Sequence, residues 1–138
     1  MPIDHDKILL SIKNLKVYYP ITKGLFLKRI GDIKAVDDIS FNIIQGENLG
    51  IVGESGCGKS VMARSIMRLI QSPPGKIIDG EINLHRKSTG EVIDITKLDP
   101  TGSEMRQIRG GEIAIVFQEP MMSLNPLYTI GDQIAEAV

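Results

Sequence analysis

Apolar and polar positions come close to alternating in the first third of the chain and take helical spacing further on. Residues 8–17, ILLSIKNLKV, mix β-branched and apolar residues in near alternation, which predicts a strand. Residues 34–44, KAVDDISFNII, predict a second strand, and QGENLG turns the chain into a third, LGIV, at 49–52. The segment between the first two strands, 18–33, holds a proline, two glycines and a basic cluster, so we expect a loop there. This part of the chain predicts an antiparallel β-subdomain.

The spacing becomes helical after Gly58. Residues 59–70, KSVMARSIMRLI, predict a helix whose apolar positions are Val61, Met62, Ile66, Leu69 and Ile70. The segment QSPPGK, 71–76, ends this helix because its two prolines remove donors and disfavour helical dihedrals before them. Residues 80–95 then predict a β-hairpin with its turn in KSTG, 87–90.

The last third predicts a helix, a strand, a loop and the start of another helix. Thr101 with Glu104 three residues later has the pattern of a capping box, which predicts a short helix from Thr101. The continuous apolar run EIAIVF, 112–117, indicates a strand buried on both faces. A loop follows over 118–128, and a helix begins at 129 and has no cap before Val138. We therefore expect these residues to be a portion of a longer protein.

Composition narrows the function classes. The chain has 138 residues, 42% of them hydrophobic, which suits one globular domain. Sixteen basic and seventeen acidic residues give a net charge of −1, so bulk attraction to nucleic acid is not indicated. The N-terminus MPIDHDKILL lacks the basic and apolar regions of a secretory signal, and no window approaches the length of a membrane span. We expect a soluble chain for which any membrane role requires a partner.

The stretch GESGCGKS, 53–60, has the residue types that bind a nucleotide phosphate. Successive backbone N–H groups can hold the phosphates if the chain curls tightly, and such a curl requires glycines. The helix that follows points its free N–H groups and its positive end at the same place. Lys59 would reach the β- and γ-phosphates, and the Ser60 hydroxyl would bind Mg²⁺. The remaining nucleotide-binding positions are Gly53, Glu54, Ser55, Gly56, Cys57, Gly58 and Val61, of which 54–57 would contribute mainly backbone.

Four other features have plainer interpretations. Cys57, the single cysteine, rules out an internal disulfide and is interpreted as a small loop residue, although a helix N-terminus could lower its thiol pKa. His5 and His85 are isolated and lack metal-ligand spacing. The basic stretch KGLFLKR around Phe26 is interpreted as a solvated loop, with a headgroup or partner contact as the alternative.

The segment IAIVFQEPMMSLNPLYTIGDQIAEAV, 113–138, resembles the Q-loop region of ATP-binding-cassette (ABC) ATPases. The resemblance extends back through AVDDISFNIIQGENLGIVGESGCGKS, 35–60, and covers essentially the whole chain from Ile8 to Val138. The detail QEPMMSLNPLYTIGDQIAEA and the insertion YYPITKGLFLKRIGDIKAVDDISF are most similar to the ATPase subunits of bacterial oligopeptide and dipeptide importers. The resemblance implies an α/β P-loop NTPase, of which this chain is the N-terminal portion.

That resemblance also implies a division into parts. Residues 8–52 would form mainly the antiparallel β-subdomain, and 53–118 an incomplete RecA-like core from the phosphate loop to the Q-loop. Residues 119–138 would hold the Q-loop and the start of the helical subdomain.

The family's roles transfer to particular positions. Gln118 and Lys59 would be the catalytic residues, with Gln118 also coordinating Mg²⁺ or the attacking water. Tyr19 aligns best with the aromatic residue that stacks on adenine, and Tyr18 is the alternative. Loop 119–127 would signal nucleotide state to the membrane partner, with Met121 and Met122 as contacts for the permease or as core residues.

The implied cofactors are ATP and Mg²⁺, and the implied partners are transmembrane permease subunits and a second ABC ATPase subunit, identical or paralogous. The implied location is the cytoplasmic face of the bacterial membrane, and the transported solute stays open among dipeptides, oligopeptides, nickel and others.

Three family segments are not found in these 138 residues: the LSGGQ-type segment, the Walker-B strand with its Asp-Glu pair, and the switch histidine. Without them we expect at best weak nucleotide binding, and negligible hydrolysis, by this stretch alone. A soluble cassette ATPase without a permease, and a non-catalytic relic or regulator, are the alternative interpretations.

Overall fold

The computed structural model describes residues 7–24, 28–117 and 125–136. Its centre is a four-stranded antiparallel sheet in the order β2-β1-β3-β4. The strands are β1 Ile8–Lys23, β2 Lys28–Ile44, β3 Lys76–His85 and β4 Val92–Asp94. The helices are α1 Lys59–Ile66, α2 Ser103–Gly111 and α3 Ile130–Glu136, with a 3₁₀ turn at Ile95–Lys97. Antiparallel pairing of the first two predicted strands is confirmed, and β3 and β4, rather than residues 49–52, complete the sheet.

Within the segment predicted as a loop, 18–33, residues 18–23 and 28–33 are instead strand. β1 and β2 pair along these residues, with Tyr19 opposite Ile33 and Lys23 opposite Lys28. The loop prediction overweighted Pro20. β3 pairs with β1 only as far as Tyr18, so beyond that point the hairpin is two strands wide, and an edge strand accepts a proline.

The core lies between the sheet and the helices α1 and α2. Alternate side chains of β1 and β3 bury one face of the sheet, and Met62 of α1 and Met105 of α2 pack against it. The fully enclosed apolar side chains among the described residues are Ile12, Leu15, Val17, Val36, Ile82, Ile95, Met105 and Ile108. This core fixes where α1, and the loop before it, sit against the sheet.

α1 is shorter than its apolar spacing predicts. It ends at Ile66, because Arg68 adopts a left-handed backbone conformation with φ 52° and breaks the helical path before the prolines do. The β3–β4 hairpin is confirmed, with its turn over 87–90 closed by bonds from Arg86 N to Glu91 O and from Gly90 N to Arg86 O.

The predicted capping box at α2 is wrong. α2 begins at Ser103 after Gly102, which offers no side-chain cap. The Thr101 hydroxyl and backbone N–H both donate to Asp99 Oδ1, at 2.9 Å each, so this side chain is already engaged by a local turn.

Two predicted strands are not formed as ladders. Residues 49–52 and 113–117 carry no strand assignment and pair with no strand among the described residues. Val52 is 94% exposed and Val116 93% exposed. A strand that is apolar on both faces is stabilised by neighbours on both sides, and none of the described elements supplies them.

The final helix is present as α3, Ile130–Glu136, and residues 137–138 lie outside the described part. The Thr129 hydroxyl accepts from Asp132 N and donates to Asp132 Oδ2, which caps the helix start. No helix within 7–24, 28–117 and 125–136 has the length and apolar character needed to cross a membrane.

Candidate nucleotide-binding site

The loop 53–60 meets the sheet at Gly58. Gly58 has φ 92°, and a Cβ placed on it would lie 2.0 Å from Ala35 O of β2. Only glycine tolerates both this backbone conformation and this approach. The last turn of the loop is thereby seated directly on the backbone of β2.

The loop also closes on itself. A Cβ on Gly53 would lie 2.6 Å from Cys57 Sγ, so the two ends of the curl are in contact. Cys57 N donates to Glu54 O at 3.3 Å, which makes the intervening residues a tight turn. The side chains of Glu54, Ser55 and Cys57 are exposed, which leaves the backbone as the shaped part of the loop.

The Lys59 ammonium lies at the centre of this curl. Its Nζ donates to Gly53 O at 2.7 Å and to Glu54 O at 2.8 Å, and lies 3.3 Å from Cys57 Sγ. The hydrogen bond from Lys59 holds the pKa of the Cys57 thiol below its ordinary value. The Lys59 ammonium supplies the positive charge that a phosphate group would need, and in this structure two backbone carbonyls accept its hydrogen bonds.

Helix α1 starts immediately after the curl. Its first residues are Lys59 and the exposed Ser60, and its first turn holds no acidic residue to oppose the positive end. Met62 N donates to Gly58 O, and the buried Met62 side chain anchors this turn in the core. The half-buried Val61 packs against the same core, so the helix start is fixed in direction.

Tyr18 and Tyr19, neighbours in β1, have different surroundings. Tyr19 packs against the core that includes Met62 of α1, and its ring lies against Gly75. The Tyr18 hydroxyl donates to Asp37, whose carboxylate also pairs with Lys34 at 3.2 Å, and Lys34 Nζ lies 5.4 Å from the Tyr18 ring centre. Tyr19 therefore shares the side of the sheet that carries the phosphate loop, and Tyr18 is engaged in a polar cluster.

The structure brings together the whole of 53–61, with Tyr19 on the same face of the sheet. Gln118, Met121, Met122, Phe26 and His5 lie outside the described residues. His85 ends β3, and within the described ranges no three His, Cys, Asp or Glu side chains gather as a metal site. The seat of Gly58 on Ala35 was missed from sequence, because no local signal joins positions 23 apart.

The loop has two features that a nucleotide phosphate would use. Its tight turn needs glycine at Gly53 and Gly58, where a Cβ would meet Cys57 Sγ and Ala35 O, and Lys59 supplies positive charge. The fold and this site define the class of P-loop nucleotide-binding proteins.

Comparison with known proteins identifies the family within this class. Residues 36–137 match the ABC transporter family, and the chain belongs to it. It is 45% identical over 130 residues to the oligopeptide transport ATP-binding protein AppD of Bacillus subtilis, covering 94% of this chain and 35% of AppD. It is 47% identical over 128 residues to a putative peptide import ATP-binding protein of Brucella ovis, covering 93% and 35%. It is 41% identical over 130 residues to the glutathione import ATP-binding protein GsiA of Escherichia coli O1:K1 / APEC, covering 94% and 19%. The chain thus spans about a third of the first two relatives and less of the third.

Proposed function

We propose that this chain carries the phosphate-binding portion of the ATP-binding subunit of an ABC importer for di- or oligopeptides. The single observation that best supports ATP binding is the Lys59 ammonium inside the 53–57 curl, seated on β2 through Gly58. The names of the relatives, two peptide transporters and one importer of the tripeptide glutathione, support the substrate class.

Each residue of the site has a task in this proposal. Lys59 would neutralise the β- and γ-phosphates, and the backbone of 54–58 would donate to their oxygens. Ser60 and Gln118 would hold Mg²⁺, which when bound supplies charge neutralisation at the phosphates. Tyr19 would stack on the adenine, because its side of the sheet is that of the loop.

Turnover requires more than these residues. The LSGGQ-type, Walker-B and switch-histidine segments are not among the 138 residues, so we propose that this stretch binds ATP·Mg²⁺ and hydrolyses it negligibly by itself. In the working transporter the subunit would dimerise head to tail with a second ATPase subunit. The dimer would reset permease subunits from the cytoplasmic face of the membrane.

The test of ATP binding compares Lys59→Ala with Lys76→Ala in a titration with fluorescent mant-ATP and Mg²⁺. Losing a charge-assisted contact should weaken binding about 10- to 100-fold for Lys59→Ala. Lys76 starts β3 and has an exposed side chain, so its variant should bind like the wild type. Equal affinities for the two variants would contradict the proposed site.

The importer part is tested separately in the source cells. Deletion of the gene should abolish uptake of labelled dipeptides and tripeptides, and the subunit should co-purify with membranes through its permease. Unchanged peptide uptake, with the subunit recovered away from membranes, would instead favour a cassette ATPase without a permease.

A further inference from the structure

Arg109 of α2 donates three hydrogen bonds to backbone carbonyls, two of which belong to the residues that follow α1. Its Nε donates to Met67 O at 2.8 Å, and its Nη2 donates to Arg68 O at 3.0 Å. Its Nη1 donates to Pro100 O at 3.0 Å, on the segment that leads into α2. One guanidinium therefore joins three parts of the chain: the residues that follow α1, the segment before α2, and α2 itself.

Two of these acceptors, the Met67 and Arg68 carbonyls, come after Ile66, the last residue of α1. Arg68 turns there into the left-handed region, so these carbonyls lie beyond the hydrogen-bond pattern of the helix. A guanidinium presents its donors in a rigid plane, so two adjacent carbonyls fix the direction between the helices as well as their distance. A lysine ammonium could not hold both in this way.

The opposite end of α1 is the phosphate loop. α1 has eight residues and is about 12 Å long, too short to bend appreciably. Gly58 seats its start on β2, and Arg109 holds its end to α2. The loop and Arg109 therefore act at opposite ends of one short helix.

α2 leads directly towards the proposed Q-loop. Arg109 precedes Gln118 by nine positions. The intervening Glu112 is bonded to Arg86 of the β3–β4 hairpin at 2.9 Å, so this part of the chain is also fixed to the sheet. Arg109 is thus a direct polar link between the residues that follow α1 and α2, in addition to the apolar contacts that both helices make with the core.

We propose that Arg109 is a positioning residue that couples the occupancy of the phosphate loop to the segment entering Gln118, and through it to the permease. This inference rests on the proposed function, because it requires a subunit that binds ATP and answers to a permease. It assigns Arg109 no contact with the nucleotide.

The experiment uses the full ATPase subunit, alone and assembled with its permease in nanodiscs. Two quantities are measured: the Kd for mant-ATP, and the ratio of the ATP hydrolysis rate with the permease to the rate without it. Arg109→Gln is compared with Arg106→Gln, whose side chain is exposed on the same helix. Arg86→Gln is the second control, since it weakens the attachment of α2 without touching α1.

For Arg109→Gln we expect the Kd for mant-ATP to stay within about twofold of the wild type, because the phosphate contacts lie at the other end of α1. The permease-dependent ratio should fall roughly 3- to 30-fold, the range for residues that link two sites. Arg109→Lys should fall nearly as far, because it keeps the charge and loses the fork. Arg106→Gln should match the wild type in both quantities.

Two outcomes would overturn the inference. One is a permease-dependent ratio for Arg109→Gln equal to that of Arg106→Gln. The other is a loss for Arg109→Gln that accompanies lowered thermal stability and is reproduced by Arg86→Gln, which would make Arg109 a structural residue only. Failure of the wild type to bind mant-ATP, or to respond to the permease, would refute the proposed function before any variant is compared.

Discussion

The antiparallel sheet and the phosphate-loop segment of this chain are held in different ways. In the sheet each strand pairs with a neighbour, and side chains such as Leu15 and Ile82 are completely enclosed. The loop 53–60 is exposed, is seated on the sheet at Gly58, and follows an apolar run whose Val52 is 94% exposed. The sheet is stabilised by burial among the described residues, whereas the loop owes its shape to backbone geometry and to Lys59.

The largest expected difference between the two regions is in the free energy of unfolding when apolar volume is removed from each of them. Ile82→Ala should lower the free energy of unfolding by about 2–5 kcal/mol, because the side chain is fully enclosed in the core. Val52→Ala should change it by less than about 0.5 kcal/mol, because that side chain contributes little burial. Urea denaturation followed by circular dichroism measures both, and similar losses would show that the two regions are equally buried.

The close contact between Gly58 of the loop and Ala35 of β2 is tested by adding one methyl group. Gly58→Ala meets Ala35 O and an unfavourable φ, so we expect mant-ATP affinity to fall about 5- to 30-fold from about 1–2 kcal/mol of strain. Gly90→Ala has a similar φ of 71° and no neighbour within 4 Å, in the β3–β4 turn. It should cost stability without changing affinity. Equal affinities for the two variants would mean that the seat does not shape the loop.

The two tyrosines test which side of the sheet faces the adenine. Tyr19→Leu keeps apolar volume against the core and removes the stacking ring, so ATP affinity should fall about 2- to 10-fold. Tyr18→Leu removes the hydroxyl that donates to Asp37 and should leave the affinity unchanged. Isothermal titration with ATP·Mg²⁺ compares them, and the reverse order would assign the stacking role to Tyr18.

The smallest effect concerns the thiol inside the loop. Because the Lys59 ammonium lowers the pKa of Cys57, more thiolate is present at neutral pH, and iodoacetamide should react with a midpoint below that of an ordinary cysteine. Lys59→Ala should return the midpoint to its usual range, as measured by mass spectrometry across a pH series. An identical profile in the two proteins would contradict the contact.

Alkylation of Cys57 also tests whether the nucleotide binds within the loop. The added group lies between Gly53 and Lys59 and should block nucleotide by its bulk. Unchanged ATP binding after complete modification would show that the phosphates bind away from this curl.

Several elements could be predicted from local sequence patterns alone. The β3–β4 hairpin follows from alternation around KSTG, and the phosphate loop follows from its glycines, Lys59 and Ser60 between an apolar run and a helix. In both cases the hydrogen bonds within the turn, such as Arg86 N to Glu91 O and Lys59 Nζ to Gly53 O, join residues within about ten positions of each other, so the pattern carries this information. The family resemblance, which the comparisons bear out, likewise depends on contiguous motifs.

Other features depend on contacts between segments that are distant in sequence, so the local pattern did not predict them. The strands across 18–33 depend on pairing with each other, which a proline and two glycines concealed. The runs 49–52 and 113–117 have the composition of buried strands, yet composition cannot supply the neighbours that a ladder needs. Gly58 against Ala35, and Arg109 across to Met67 O, join positions 23 and 42 apart. Such contacts arise when packed elements bring distant backbone groups together, and no periodicity along the chain records them.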